Sequence, residues 1–241
     1  KNIEDSEKGD LVEELTLEAL GEFDSRNLIQ SFKYTDPHPR ETDGLLLLED
    51  SYWAVEVKSH PIFRKIPTDI STALDRFEDK FKEAISQGEN TLNFLRDQGD
   101  DILYHLAGEK SPSEKEYGVI VILDGLLPTL FSQNQRVDQI FGMSGIYDAL
   151  DKDDRILLIT LFDLFELSHQ TNELDRLEDF LIWRTDFGFD MPVLAFNERE
   201  YWAMYFDNLD SDISLKEMLD DAAKKESVVA YISERFNDKP Y

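Results

Sequence analysis

The stretch Glu41-Thr-Asp-Gly-Leu-Leu-Leu-Leu-Glu-Asp-Ser-Tyr-Trp-Ala-Val-Glu-Val-Lys-Ser-His60 decides the fold. Two short hydrophobic runs, Leu45 to Leu48 and Tyr52 to Val57, flank the acidic turn Glu49-Asp50-Ser51. Aromatic and β-branched residues in the second arm, with turn formers between the arms, are a β-hairpin pattern. The charges fall in unusual places. Asp43 opens the first arm, and Glu56 and Lys58 lie inside the second with only Val57 between them. Strand alternation sets Glu56 and Lys58 on one face and Val55 and Val57 on the other. Burying a carboxylate and an ammonium among apolar strands is costly without compensation. An ion pair would compensate, and so would a metal site with a lysine beside it.

Outward from the hairpin, the chain alternates helical and strand patterns. Residues 7 to 23 carry Leu11, Val12, Leu15, Ala19, Leu20 and Phe23 at the spacing of an amphipathic helix. Glu14, Glu18 and Glu22 form a solvated ladder on it, whereas Glu13, below Leu17 and Leu20, borders the apolar face. Asn27 to Tyr34 suit a first strand, and Thr35 to Arg40, with two prolines, reads as a loop. After the hairpin, Lys58, His60, Arg64 and Lys65 make a basic connection, and Glu56 is the only acid between Tyr52 and Pro67. Residues 68 to 107 read as one long helix and a second short one. Gly88 interrupts the stripe, and Gln98-Gly99 is the expected end of the first helix. Tyr117 to Asp124 is a nearly continuous β-branched run, as in a strand buried on both faces.

Helix, three strands, helix, strand describes an α/β sandwich with a mixed sheet. Past Asp124 the pattern continues without a linker. A helix is expected over Leu126 to Phe141, a buried strand over Arg155 to Thr160 and a short helix over Leu161 to Ser168. Further helices are expected over Asn172 to Arg184 and within Ser214 to Phe236, with an aromatic cluster at Tyr201 to Phe206. Residues 1–124 are thus expected to form the core, and 125–241 a mainly helical extension packed on the same sheet.

The composition narrows the functional classes. In 241 residues, 41% are apolar, enough for a substantial core, and no run approaches the length of a membrane span. Without cysteine there is neither a disulfide framework nor a thiolate zinc site. The first residues are charged and no apolar segment follows, so no secretory leader is expected and a cytoplasmic location is. A start at Lys1 suggests a chain trimmed or excised from a longer protein. The acids, 52 against 25 basic residues for a net charge of −27, are dispersed along the chain, as in a halophile's cytoplasmic protein. Such a charge disfavours polyanionic partners at low salt. At high ionic strength screening shortens to a few ångströms, and local basic clusters decide.

The hairpin charges have the arrangement Asp-x(12)-Glu-x-Lys. Pairing of the two arms brings Asp43 near Glu56, and two converging carboxylates suit a hard cation such as Mg²⁺. Lys58 points the same way and could orient a water or face charge developing on a phosphate, and the Val57 carbonyl could add a ligand. The bland alternatives are a strand-opening Asp43 in a local turn with Gly44, and a weak surface pair between Glu56 and Lys58. Nucleophilic catalysis has no support, because no serine stands in a Gly-x-Ser-x-Gly context and cysteine is absent.

These residues resemble the core of the PD-(D/E)xK, restriction-endonuclease-like nuclease superfamily, nuclease-related subgroup. Its acid-then-(D/E)xK hairpin is matched by Asp43, Glu56 and Lys58, and its αβββαβ core by the order of elements. Lys8-Gly9 followed by Glu13 is similar to the helix glutamate motif of resolvase-like members, and Gln87 to the glutamine some subgroups carry on the second helix. Thr42 stands where the family's motif has proline. The resemblance covers residues 8 to about 124. It implies a Mg²⁺-dependent nuclease (Mn²⁺ as substitute) acting on DNA. Asp43, Glu56, Val57 and Glu13 would lie around the metal, with Glu13 acting through a metal-bound water. Lys58 and Gln87 would be catalytic, and His60, Arg64 and Lys65 would meet substrate phosphates. It leaves open a catalytically inactive binding or scaffolding module, and a homodimer or larger multidomain assembly.

Overall fold

The computed structural model describes residues 5–24, 27–59, 70–107, 115–123, 155–170, 174–186 and 198–209. The elements are α1 (Asp5–Asp24), β1 (Leu28–Thr35), β2 (Pro39–Leu47), β3 (Ser51–Lys58), α2 (Ile70–Ala107), β4 (Glu116–Leu123) and β5 (Arg155–Thr160), then α3 (Leu161–Gln170), α4 (Leu174–Asp186) and α5 (Glu198–Leu209). One five-stranded sheet runs in the order β1-β2-β3-β4-β5. The first three strands pair antiparallel, and β4 and β5 add in parallel to β3. A parallel neighbour needs a crossover, and α2 supplies it between β3 and β4. The fold is α/β with an αβββαβ core.

Both faces of the sheet are covered, which is why its central strands read as unbroken apolar runs. On one face Leu45, Leu47, Tyr52, Ala54, Val119 and Val121 pack under α2 through Phe81, Ala84, Ile85, Leu92 and Leu95. On the other, Leu46, Trp53, Val55, Ile120 and Ile122 meet Leu20 of α1, Leu164 of α3, Phe180 of α4 and Trp202 of α5. The described residues after 124 therefore contribute β5 to the sheet and three helices to one face. Trp183, Trp202 and Tyr205 are buried there.

Buried charges on this face are paired. Arg184 of α4 donates two hydrogen bonds to Glu198 of α5, at 2.7 and 2.8 Å, and lies 4.3 Å over the Tyr201 ring. Glu178 of α4 accepts from the Glu49 and Asp50 amides and from the Ser51 hydroxyl, tying the β2–β3 turn to the helical layer.

Three sequence expectations are corrected. Thr35 to Arg40 is not a loop throughout, because β2 starts at Pro39, opposite Thr35 in the register. Proline is tolerated at the first residue of a strand. Residues 70 to 107 form one helix, without a break at Gln98-Gly99. A mid-helix glycine costs only about 1 kcal/mol relative to alanine, too little to end a helix held elsewhere by packing. Gly88 does not interrupt the apolar stripe either, because it lies on the buried face of α2. It marks close contact with the sheet, since a Cβ there would lie 2.5 Å from Val119 Cγ1. The helices expected over 126–141 and 214–236 lie outside the described residues. No helix among the described residues is long and apolar enough to cross a membrane.

Candidate active site

The site forms where β2 and β3 part. Their paired register runs from Leu47↔Tyr52 to Gly44↔Val55 and is not continued beyond. The next residue of β2 is Asp43. Its Oδ2 accepts a hydrogen bond from the Val57 amide at 2.7 Å, so a side chain takes up a backbone donor beyond the last paired residues. Asp43 and Glu56, with twelve residues between them in sequence, thereby face one another across the opening strands.

Glu56 is 2% exposed. Its Oε1 accepts from the Thr42 hydroxyl at 2.8 Å, and its Oε2 lies 3.4 Å from Lys58 Nζ. Lys58 Nζ also donates to Gln87 Oε1 of α2 at 2.5 Å. The sheet face under α2 thus carries a chain of contacts from Thr42 through Glu56 and Lys58 to Gln87. One turn further along α2, Thr91 donates to the Tyr34 hydroxyl of β1 at 3.1 Å, fixing the helix to the sheet beside the site.

The carboxylates crowd each other. Burial pushes the Glu56 carboxyl up to about 7, Asp43's charge adds to the rise, and Lys58 and Thr42 oppose it. Burial also raises Asp43, against the Val57 amide and Lys58. Glu13 of α1 is half-buried and raised as well, by burial first and by Asp43 next. Glu13 therefore lies within electrostatic reach of Asp43, while Glu14 and Glu18 are exposed. Among the described residues no group of three or more His, Asp or Glu is close enough together to hold a metal ion. The two-carboxylate pair is what the site offers a cation, with the Val57 carbonyl adjacent in sequence.

Two further features were not anticipated. Thr42 is fully buried and serves Glu56 directly. Ser31, at φ 51°, is the non-glycine residue in the left-handed region among those described, and constant register places it opposite Asp43. Backbone strain of this kind is uncommon and clusters at functional sites. Beside the site, an open cleft of about 430 Å³ is lined by Lys33, Tyr34, Thr35, Pro39, Arg40 and Glu41, ending two residues short of Asp43. His60, Arg64 and Lys65 lie outside the described residues.

No family model matches the chain, and no curated protein does. Among solved structures, it is similar to the small subunit of a heterodimeric restriction endonuclease, at 15% identity over 84% of this chain and 97% of that one, with a TM-score of 0.37. So distant a likeness says nothing about chemistry. The element order and the mixed sheet carry the fold, an α/β arrangement with the αβββαβ order expected from the sequence.

Proposed function

We propose that the protein is a metal-dependent nuclease that hydrolyses phosphodiester bonds of DNA. The observation that carries this reading is the set Asp43, Glu56, Lys58 and Gln87, gathered around the buried Glu56 carboxyl where β2 and β3 part. The donor set fits a divalent cation such as Mg²⁺, with Mn²⁺ as substitute. Two carboxylates share a partly buried site, each raised by burial, and Asp43 raises Glu56 further. A cation relieves that repulsion, and Mg²⁺ is commonly held by one or two carboxylates plus waters and substrate phosphate. Asp43, Glu56 and the Val57 carbonyl would hold it. Bound there, the cation would polarise the phosphate and lower the pKa of water.

The chain's own residues do the rest. Lys58 orients the attacking water and faces the negative charge that builds on the phosphoryl oxygens. Gln87 fixes the lysine head, so that its donors are placed before substrate arrives. Glu13, half-buried beside Asp43, reaches the site through water. Water adds to phosphorus and gives up a proton to solvent, the P–O bond to the leaving oxygen breaks, and that oxygen takes up a proton from solvent. Lys33 and Arg40, on the adjoining cleft, and His60, Arg64 and Lys65 meet flanking phosphates.

The purified protein should cleave single- or double-stranded DNA with Mg²⁺ or Mn²⁺ at high salt, and Asp43→Ala and Lys58→Ala should each lose roughly 10²–10³-fold in kcat. Variants that cleave as well as the parent would remove the assignment. A second reading, a nuclease-fold module that binds without cleaving, is favoured by the lack of a third clustered acid among the described residues. Calorimetry separates the two, since the module would bind DNA or a protein partner and take up neither Mg²⁺ nor Mn²⁺.

A further inference from the structure

The feature that this reading does not use is the break in strand alternation around Asp43. On β1, Ile29 and Phe32 belong to the same core under α2, although three residues apart, so the alternation slips between them, where Ser31 stands. On β2 the same slip separates Thr42 from Gly44. A Cβ on Gly44 would meet Leu17 of α1, whereas Thr42 lies opposite Phe32 and bonds Glu56 on the α2 side. Regular alternation would have put Thr42 and Gly44 on one face. The twist at Ser31 and Asp43 turns the threonine toward the glutamate.

A hydroxyl has one proton to donate. Thr42 Oγ1 has three acceptors in reach: Glu56 Oε1 at 2.8 Å, the Val55 carbonyl at 3.2 Å and the Gly44 carbonyl at 3.5 Å. The carboxylate is nearest and, when ionised, the strongest acceptor. With Oε1 held, rotation of the Glu56 carboxyl is blocked and Oε2 is left on the Lys58 side. We propose that Thr42 is a positioning residue, whose hydroxyl fixes Oε1 of Glu56 so that Oε2 is presented beside Lys58 to the divalent cation. This inference rests on the nuclease reading above. It also gives the residue standing in place of the family's proline a task that a proline could not perform, since proline has no side-chain donor.

The test is Mn²⁺ binding by calorimetry on the full chain at high salt, with thermal unfolding of the metal-free proteins as the folding control. Thr42→Val keeps the shape and removes the donor, and it should weaken Mn²⁺ binding roughly 10–100-fold. Thr42→Ser keeps the donor and should bind within about threefold of the parent. Equal binding by Thr42→Val, or a serine variant as weak as the valine one, would overturn the proposal, because the hydroxyl would then not matter. Should Thr42→Val fail to fold, the metal-free parent decides by NMR. The Thr42 hydroxyl proton is expected to exchange slowly and to show through-space contact with the Glu56 side chain. A proton directed at the Val55 carbonyl instead overturns the inference alone. A parent that binds no Mn²⁺ takes down the nuclease reading, and the role of Oε2 with it.

Discussion

Glu56 is the residue on which the proposed chemistry and stability pull in opposite directions. Its carboxyl is raised from 4.5 to about 7 in the folded protein, chiefly by burial and then by Asp43. A folded pKa above the unfolded one means that the folded state holds an extra proton between those values. Stability from this group is therefore intact below about pH 4.5, falls as pH rises toward 7, and is fully lost above it. The loss amounts to at most about 3 kcal/mol. Glu56→Gln, which carries no charge, should escape it. In EDTA, the variant's stability relative to the parent should increase by about 1–3 kcal/mol between pH 5 and pH 8, measured by urea unfolding. Saturating Mg²⁺ should stabilise the parent at pH 8 and leave the variant nearly unmoved. A flat difference across that range would mean that Glu56 is not held in a desolvated, anion-crowded place. The spacing of Asp43, Glu56 and Lys58 made their coming together legible in the sequence. Thr42 was not legible, because alternation assigns it to the face of Gly44, and only the left-handed Ser31 reverses that. A glycine or asparagine there would have signalled the twist, but a serine does not.

At the scale of elements, the hairpin and the two buried parallel strands could be read from β-branched runs, whereas boundaries set by tertiary contact could not. Pro39 looks like a loop residue and starts a strand, since only pairing with Thr35 reveals it. Gly88 looks like a gap in the apolar stripe and is a packing device. α2 crosses β4 closely enough that a Cβ at residue 88 would sit 2.5 and 2.8 Å from the two methyls of Val119, a fully buried residue of β4. Helix propensity alone would make Gly88→Ala stabilising by about 1 kcal/mol. Overpacking against a branched side chain that cannot retreat costs about 1–3 kcal/mol, so Gly88→Ala should be net destabilising. Gly21 on α1 is the control, because nothing lies within 4 Å of a Cβ there. Gly21→Ala should stabilise by about 0.5–1 kcal/mol in the same denaturation experiment. Adding Val119→Ala to Gly88→Ala should recover part of the specific clash, which a double-mutant cycle would register as coupling. Without such coupling, α2 would not lie where its glycine places it.

For the whole molecule, the proposed function raises the question of how a chain of net charge −27 would meet a polyanion. An ordinary DNA-binding protein loses affinity steadily as salt rises, because its lysines and arginines release counterions from the phosphates. Here that term opposes a larger one. Dispersed carboxylates repel DNA at long range, and this repulsion acts over about 10 Å at 0.1 M salt but only about 3 Å at 1 M. Lys33 and Arg40 on the cleft and Lys58 in the site would act on phosphates at contact distance and keep most of their effect once the long-range field is screened. Self-repulsion of the folded chain weakens in the same way. Two quantities should therefore rise together between about 0.1 and 1 M KCl, namely the thermal midpoint of unfolding and the affinity for DNA. Equilibrium binding of a fluorescent oligonucleotide to the metal-free protein, measured across that range beside thermal unfolding, tests the point. Replacing Lys33 and Arg40 by glutamine should lower affinity at 1 M KCl with no change in Mn²⁺ binding, because neither residue touches the carboxylate pair. If affinity instead falls monotonically from the lowest salt, as for a basic protein, then the acidic surface does not govern the encounter and the DNA path lies along a locally basic face that dominates at every ionic strength.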